Sequence, residues 1–417
     1  MFNRIPGTKD ILPDEIGRWQ QIEEAARRVF ALYNYSEVRF PLIEDIALFN
    51  RSLGESAEIV QKQMFVIKNA SDTYALRPEG TAPIARAYLE NNLDKNKGLV
   101  KLYYTGPMFR LERPQKGRLR QFHHLGCEVI GSSNPMVDVE VVSLADTLLK
   151  AFGVAGYVIE VNSLGCAEDK NGFIHFLRDS LKPRLADLCP ECNERFGRNA
   201  LRILDCKNPS CRETVSGLLE SGDSFLCSGC LRHAKEVRGG LDSLGIKYRI
   251  NPCLVRGLDY YTGTVFEIKH AGLGAQDAIG AGGRYDDLIR ELGGPATGAM
   301  GFAFGMERLL LVSCQDQPER GQDSLIYLIT LGDAAGKEGL RLLSALRGAG
   351  IPSDTDYENK SLKGAMRKAN DAGASRVLIL GEDELKKQVI AFRDMRTSQQ
   401  REVPLKDLIE ELRKDRG

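Results

Sequence analysis

The stretch LVRGLDYYTGTVFEI, residues 254–268, constrains the fold more than any other part of the chain. Its two ends are apolar and favour strands, which predicts that the chain builds a sheet. Between those ends stand an arginine, an aspartate, two adjacent tyrosines and two glycines. Half-buried packing in a strand explains the tyrosine pair by itself. It does not explain the charged residues beside that pair, because an unpaired charge is costly to bury.

The residues before this stretch predict one helix followed by short strands. From 14 to 33, apolar residues recur at three- and four-residue intervals, as in a helix that buries one face. The run YSEVRFPLIED comes next, and its Pro41 suits an edge strand or a strand at an interface. Further strands are predicted in four runs: MFVIK, TYALRP, LVKLYYTGPMFR and FHHLGCEVIG. A helix near 137–152 ends this mostly antiparallel block.

Two changes of pattern divide the rest of the chain. Between 157 and 250, a cysteine-bearing segment and a helix near 230–244 interrupt the strands, which indicates an inserted module. Residues 315–324, QDQPERGQDS, are polar and turn-rich and predict a linker. After that linker strands alternate with helices, a pattern typical of a separate α/β domain with a largely parallel sheet.

The composition excludes some classes of protein. The chain is 42% hydrophobic and 27% charged, and it contains no apolar run that could cross a bilayer. Its first fifteen residues lack the apolar centre of a signal peptide, so we expect a soluble cytoplasmic protein without a membrane partner. Because 57 basic residues balance 57 acidic ones, any affinity for a polyanion has to come from a local patch.

Several arginines lie near the ends of predicted strands. From 101 to 124 the chain holds six Lys or Arg against one Glu, with aromatic residues between them. This combination suits a nucleotide or an RNA end, although a solvated charged hairpin would contain the same residues. Arg110 lies in a predicted strand, and Arg113, Arg118 and Arg120 surround the following turn. Arg308 lies in the first turns of the helix after GFAFG, where a phosphate could bind, but an ordinary surface arginine is the alternative.

Several of these segments resemble those of a known enzyme family. The runs EVRFPLIE, FRLERPQKGRLRQFHHLGCE and GFAFGMERLLL resemble motifs 1, 2 and 3 of the class II aminoacyl-tRNA synthetases. The runs RGLDYYTGTVFE and GAGGRYDDL resemble two motifs peculiar to the histidyl-tRNA synthetases, and the similarity spans the chain. By this resemblance, 254–268 forms the floor of a site, with its polar face toward substrate and Leu258, Val265 and Ile268 available for packing.

The resemblance also implies a domain organisation. We expect an α+β catalytic domain of the class II type over 1–322, built on a mixed, mostly antiparallel sheet. A module at about 168–245 would be inserted into it. The α/β domain over 323–417 would bind the anticodon. The helix 14–33 and EVRFPLIE resemble the dimer interface of this class, so a homodimer is expected.

The resemblance assigns roles to particular residues. Arg256 and Arg110 would be catalytic, at the reacting carboxylate and the α-phosphate, and ATP would contact Arg110, Arg118 and Arg308. Glu128 and Tyr261 would hold the imidazole of histidine, since a neutral ring offers one donor and one acceptor. The full set assigned to histidine is Glu79, Gly80, Thr81, Arg110, His124, Glu128, Arg256, Tyr260, Tyr261 and Tyr285. The family usually has glutamine where this chain has His124, whose side chain is shorter and titratable.

The implied reaction has two steps. The carboxylate of L-histidine attacks the α-phosphorus of ATP and pyrophosphate leaves. A terminal ribose hydroxyl of tRNA(His) then attacks the acyl-adenylate. We expect Mg²⁺ with the nucleotide, because the pyrophosphate charge needs neutralisation. The hairpin from Arg113 to Arg120 would reach the acceptor end, where the family reads an extra 5′ guanosine.

Six of the ten cysteines form three closely spaced pairs between 189 and 230. Two such pairs can hold one tetrahedral zinc ion, in a structural role. The preferred set, Cys189, Cys192, Cys206 and Cys211, closes the shorter loop, with Cys227 and Cys230 as substitutes. Reduced thiols without metal are the alternative. The other four cysteines are expected to be buried apolar thiols: Cys127, Cys166, Cys253 and Cys314.

Three other functions compete with histidine–tRNA ligation. A histidine-sensing regulatory paralogue would lack the C-terminal domain and parts of the motifs, both of which this chain keeps. A class II synthetase for threonine or proline would share a similar last domain, but RGLDYYTG disfavours it. A zinc-ribbon nucleic-acid binder would explain only residues 189–230.

Overall fold

A computed structural model describes residues 2–54, 57–95, 98–115, 117–219, 222–274, 276–313, 325–358 and 361–414. The chain divides into two compact units, Met1–Asp316 and Gln317–Gly417. The predicted linker at 315–324 and Cys314 lie outside the described residues. No helix in the described ranges is both long enough and apolar enough to cross a membrane.

The first unit combines strands with surrounding helices. Its strands are β1 Ser36–Glu37, β2 Ile43–Asp45, β3 Phe65–Lys68, β4 Thr73–Leu76, β5 Val100–Phe109, β6 Gln121–Ile130, β7 Tyr157–Ser163, β8 Tyr248–Ile250, β9 Thr262–His270, β10 Ala278–Arg284 and β11 Ala299–Gly305. Its helices are α1 Ile16–Leu32, α2 Ile46–Leu53, α3 Thr81–Glu90, α4 Pro135–Ala151, α5 Ala167–Leu181, α6 Pro190–Arg198, α7 Pro209–Ser216, α8 Ser228–Ser243, α9 Leu288–Glu291 and α10 Met306–Val312.

The main sheet has eight strands in the order β1-β5-β6-β11-β10-β9-β7-β8. The pairs at the two ends of this order, β1–β5 and β7–β8, are parallel. All neighbouring pairs from β5 through β6, β11, β10 and β9 to β7 are antiparallel. The prediction of a mixed, mostly antiparallel sheet is therefore confirmed. A separate three-stranded sheet has the order β2-β4-β3.

Helices α1, α4 and α8 share one hydrophobic core with the main sheet. Apolar residues of α1 and α4 are buried together with Leu125 and Phe304, which lie on β6 and β11. A buried ion pair joins Arg284 of β10 to Asp138 of α4, and His233 of α8 lies 2.8 Å from the same carboxylate. These polar contacts fix the helices against the sheet because a buried charge needs its partner.

The stretch 254–268 differs from its prediction. Only Thr262–His270 is a strand, whereas 254–261 forms loops and turns. Contacts from distant residues hold this loop: Lys170 donates to the carbonyl of Asp259 at 2.7 Å, and Asn199 donates to its carboxylate at 3.3 Å. Both partners belong to the inserted segment, so the local strand pattern is overridden by tertiary contacts. Val265 and Ile268 are fully buried, as expected for strand residues that pack.

The second unit is a sheet with helices on both faces. Its strands are β12 Ile326–Thr330, β13 Ser353–Thr355, β14 Arg376–Leu380, β15 Val389–Asp394 and β16 Gln400–Pro404. Its helices are α11 Asp333–Gly348, α12 Leu362–Asp371, α13 Glu382–Lys387 and α14 Leu408–Lys414. The order is β13-β12-β14-β15-β16. Strands β13, β12 and β14 pair in parallel, whereas the pairs β14–β15 and β15–β16 are antiparallel. The expectation of a largely parallel sheet is therefore wrong for its second half.

Candidate active site

A cavity of about 590 Å³ lies in the first unit. Its wall includes most of the residues that the sequence assigned to histidine and ATP: Glu79, Gly80, Thr81, Arg110, Arg118, His124, Arg256, Tyr260, Tyr261 and Arg308. Two assigned residues, Glu128 and Tyr285, do not line it. The structure therefore brings residues from widely separated segments to one place.

Three of the four assigned arginines, Arg110, Arg308 and Arg256, are anchored as follows by neighbouring acceptors. Arg110 follows β5 and donates from Nε to the carbonyl of Pro78 at 2.9 Å. Arg308, in α10, donates from Nε to Gly117 O at 2.9 Å and from Nη1 to Ala278 O at 2.6 Å. Arg256, in the loop before β9, pairs with Glu267 of that strand. Because a guanidinium has five N–H donors, these bonds leave others for a ligand.

Several arginines of the cavity wall lie close enough to influence one another's charge. Burial, partly opposed by Glu79 and reinforced by Arg118, lowers the pKa of Arg110 to about 10. Burial and the nearby cations Arg118 and Arg110 also lower the pKa of Arg308. Arginines that repel one another in this way would be stabilised by a polyanion between them. The arrangement suits a chain of phosphates.

Glu79 caps the helix that begins beside the cavity. Its carboxylate accepts from the backbone N–H of Thr81 at 2.7 Å and of Ala82 at 2.9 Å, at the start of α3. Burial raises the pKa of Glu79, although these N–H donors and Arg110 act in the other direction. An ammonium group placed beside it would favour the ionised carboxylate.

Glu128 lies behind the cavity wall. Its side chain is 1% exposed, and its oxygens accept from the hydroxyls of Thr81, at 2.8 Å, and Tyr285. Burial raises the pKa of Glu128 to about 8, even though both hydroxyls favour the ionised form. Gly301 faces Glu128 across the β6–β11 pair, and a Cβ there would lie 1.8 Å from a carboxylate oxygen. Only glycine leaves room for this carboxylate.

The tyrosines form one aromatic group. The ring centroids of Tyr260 and Tyr261 are 4.6 Å apart, and those of Tyr260 and Tyr285 are 5.6 Å apart. Burial raises the pKa of Tyr261 to about 12, although Arg256 acts to lower it. Tyr285 thus connects the cavity wall to Glu128, so a ligand ring against the tyrosines would lie close to that carboxylate.

His124 lines the cavity as a neutral ring. Burial, with the cations Arg110, Arg77 and Arg308 adding to it, holds the pKa of His124 well below its usual range. Its Nδ1 atom is buried and has no hydrogen-bond partner among the described residues. An unpaired buried nitrogen is costly, so a ligand that supplied a partner would be favoured.

The sequence did not predict all of the cavity wall. Tyr104 also lines it, and a Cβ on Gly80 or Gly126 would come within 2.4 Å or 2.6 Å of its ring or hydroxyl. The inserted segment contributes three cations that were not assigned to the site: Arg195, Arg202 and Lys207. The available signal was their position close to the first two cysteine pairs.

The four preferred cysteines come together in the inserted segment. The sulfur atoms of Cys189, Cys192, Cys206 and Cys211 all lie within 4.8 Å of one another. Those of Cys189 and Cys206 are 3.9 Å apart, against about 3.8 Å expected between two thiolates on one tetrahedral zinc ion. The residues therefore fit a zinc ion without an open coordination position.

The remaining cysteines separate from that set. Cys227 and Cys230 lie instead with Cys166 and Asp169. The expectation that Cys166 is a buried thiol without such partners is therefore wrong. Cys127 is fully buried as predicted, and Cys253 is partly exposed.

The fold and the cavity together define a class of protein. A mostly antiparallel sheet with one arginine after β5 and another at the start of α10, both facing one cavity, is the arrangement of a class II aminoacyl-tRNA synthetase. Family models agree: the one described as Histidyl-tRNA synthetase matches residues 7–169 and 216–309, and the Anticodon binding domain model matches 326–415. The chain belongs to the histidyl-tRNA synthetase family.

Relatives support this over the full length. The chain is 43% identical to the histidine–tRNA ligase of Natranaerobius thermophilus, with 100% of each chain covered. It is 45% identical to that of Moorella thermoacetica, over 99% of this chain and 98% of the relative. The crystal structure of apo S. aureus histidyl-tRNA synthetase superimposes with a TM-score of 0.80 at 32% identity, covering 99% of this chain and 100% of that one.

Proposed function

We propose that the protein is a histidine–tRNA ligase, which activates L-histidine with ATP and transfers it to tRNA(His). The observation that carries this proposal is that two sets of side chains, one cationic and one aromatic, lie at the same cavity. Three anchored guanidiniums share a cavity with Tyr260 and Tyr261, and the Glu128–Tyr285 pair lies directly behind it. The first group suits a triphosphate, and the second suits a ring with one donor and one acceptor.

Histidine would lie between the tyrosines and Glu79. Glu79 would accept from its ammonium group, with Thr81 and His124 beside it. The imidazole would contact Tyr261 and Glu128, whose carboxylate can accept from the ring as well as from the two hydroxyls that it already binds. A ligand that lacks these groups would leave buried polar atoms unpaired, which can cost discrimination of roughly 10⁴ or more.

Activation would need positioning and charge stabilisation rather than a protein nucleophile. Arg256 and Arg110 would hold the carboxylate and the α-phosphate in line, while Arg118 and Arg308 hold the remaining phosphates and the adenine. The cavity wall also carries carboxylates, including Glu112 and Glu307, of the kind that hold Mg²⁺ together with substrate phosphates. When bound, that ion neutralises charge on the leaving pyrophosphate.

The role of Arg256 is tested by Arg256→Ala in histidine-dependent exchange between ATP and pyrophosphate. The exchange rate should fall by about 10²–10³, the usual cost of losing one donor to a transition-state charge. Arg256→Lys, which keeps a charge beside Glu267 but loses the planar fork, should also lose most of the rate. Arg341→Ala, at a surface arginine of α11, is the control. Near-normal exchange in Arg256→Ala would refute the role.

The amino-acid specificity is tested in the same exchange reaction. Histidine should be the amino acid that supports exchange in a panel that includes threonine and proline. A histidine-sensing regulatory protein would bind histidine without exchange. Either exchange with another amino acid or no exchange at all would contradict the proposal.

The second unit would bind the anticodon, and the hairpin around Arg113–Arg120 would contact the acceptor end. Arg113 is exposed, and Arg118 is anchored by Glu112 at 2.8 Å, so the hairpin presents one exposed cation and one held cation. Aminoacylation of tRNA(His) transcripts with and without the extra 5′ guanosine tests this contact. Omission of the guanosine should slow aminoacylation strongly for the wild type and less for Arg113→Ala. If the rate fell equally for both proteins, the hairpin would not contact that nucleotide.

A further inference from the structure

A second group of potential metal ligands lies where the inserted segment joins the main sheet. Cys166, Asp169, Cys227 and Cys230 place three sulfur atoms and a carboxylate oxygen within 4.8 Å of one another. Cys166 and Asp169 lie at the start of α5, and Cys227 and Cys230 at the start of α8. None of the four lines the active-site cavity.

The two helix ends are built alike. Each contributes a cysteine immediately before the helix and a second ligand three residues later, which places both side chains on one side of the first turn. Backbone N–H groups point at the ligand atoms. Asp169 accepts from the N–H of Cys227 at 3.0 Å and of Cys166 at 3.4 Å, and the Cys227 sulfur accepts from the N–H of Cys230 at 3.5 Å. Such donors stabilise thiolates and carboxylates at a helix start.

The residue before Cys166 has to be glycine for the backbone to pass this close to Asp169. Gly165 has φ +68°, and a Cβ there would lie 2.5 Å from the Cβ and carboxylate of Asp169. Cys227 is exposed, so an ion could enter from solvent. Three sulfurs and one oxygen suit a zinc-like ion, whereas calcium and magnesium prefer oxygen ligands alone.

We propose that Cys166, Asp169, Cys227 and Cys230 form a second zinc site, separate from the four-cysteine set. It joins the first helix of the inserted segment to the last one. Because α5 follows β7 and α8 precedes β8, the ion would close the base of the segment against the main sheet. The role is structural, since all four coordination positions come from the protein.

Zinc counting on the full-length protein tests the proposal. Protein purified without chelator is compared with three double or single variants by elemental analysis. Cys227→Ser with Cys230→Ser should lose one equivalent of zinc relative to the wild type. Cys192→Ser with Cys211→Ser should keep that equivalent, and Cys253→Ser, outside both groups, should match the wild type. An unchanged zinc content in the Cys227 and Cys230 variant overturns the proposal, whatever the other group holds.

A second measurement uses the wild type, so it does not depend on a variant that folds. Cys227 should react slowly with iodoacetamide in the purified protein and at least tenfold faster after a strong zinc chelator is added. Peptide mapping identifies the alkylated residue. Equal rates with and without chelator, or a disulfide between Cys227 and Cys230 in the untreated protein, overturn the proposal.

Discussion

At the scale of single residues, the buried carboxyl group of Glu128 lowers the free energy of unfolding when it has to be ionised. Its carboxyl group is buried between two hydroxyls, and its pKa is raised to about 8. A raised pKa means that the folded state binds a proton that the unfolded state releases near pH 4.5. The stabilising effect of that proton is complete below this lower value and is lost as the pH rises towards 8.

Glu128→Gln should therefore change stability in a pH-dependent way. Glutamine can hydrogen-bond both hydroxyls but carries no charge to bury. The variant should unfold at similar urea concentrations to the wild type at pH 5 and be more stable by a few kcal/mol at pH 8.5, since one pKa unit corresponds to about 1.4 kcal/mol. Exchange activity with histidine should fall. A stability difference that does not change with pH would contradict the assignment.

His124 gives the opposite dependence on pH. Its pKa lies well below the usual value near 6.5, so the folded protein keeps this ring neutral. The unfolded chain then binds more protons as the pH falls below that value, and the free energy of unfolding decreases. His124→Gln should remove this part of the acid sensitivity between pH 7 and 5.5 in urea titrations. His175→Gln, at an exposed histidine, is the control, and equal acid sensitivity in the two variants would contradict the prediction.

Sequence motifs indicated the neighbourhood of some of these residues but not of others. Arg110, Arg256 and Arg308 could be placed because each stands in a distinctive run of neighbours. The position of Glu128 behind the wall could not, because it depends on Gly301 across the sheet. Arg202 could not be placed either, because its approach to Gly257 depends on how the inserted segment packs. The roles of all these residues remain predictions.

At the scale of elements, the packing between β6 and β11 leaves no room for a side chain at Gly301. A Cβ at Gly301 would meet a Glu128 oxygen at 1.8 Å and the Cys127 carbonyl at 2.4 Å. Gly301→Ala should therefore lower the free energy of unfolding by about 1–3 kcal/mol, as overpacking of a core does. Gly172→Ala in α5, where nothing lies within 4 Å, should instead raise it by up to about 1 kcal/mol. Urea unfolding of both variants tests the contrast, and a loss of stability in both would contradict it.

The elements themselves were predictable where their pattern was local. The amphipathic spacing of 14–33 and the strand-to-helix runs around α10 agree with the structure. Residues 254–261 were predicted as part of a strand because their composition favours one. The contacts of Lys170 and Asn199 that hold these residues as a loop cannot be seen in any local pattern. Strand β15 was predicted from the run QVIAFRD, but β16, which pairs with it, was missed because β16 is highly polar.

At the scale of the whole molecule, the small sheet β2-β4-β3 carries an uncovered apolar surface. Ile43 and Ile67 lie on one face of this sheet, because Ile43 is level with Phe65 through Leu76 and Ile67 stands two residues after Phe65. Their side chains are 49% and 42% exposed. Apolar residues exposed together on one face are typical of an interface. We propose that this face, with EVRFPLIE, is buried in a homodimer.

The dimer proposal predicts a change of mass in solution. Ile43→Lys with Ile67→Lys should shift the protein from dimer to monomer in light scattering after size exclusion, because burying two lysines is costly. Leu340→Lys, at an equally exposed leucine of α11, should leave the mass unchanged. A wild-type monomer, or a double variant that stays dimeric, would contradict the proposal.

Cys206 belongs both to the four-sulfur group and to the wall of the catalytic cavity. Oxidising agents or metal starvation that disturb those thiols would act directly on the place where the nucleotide is expected to lie. With the function proposed above, the supply of histidyl-tRNA would then fall under such stress.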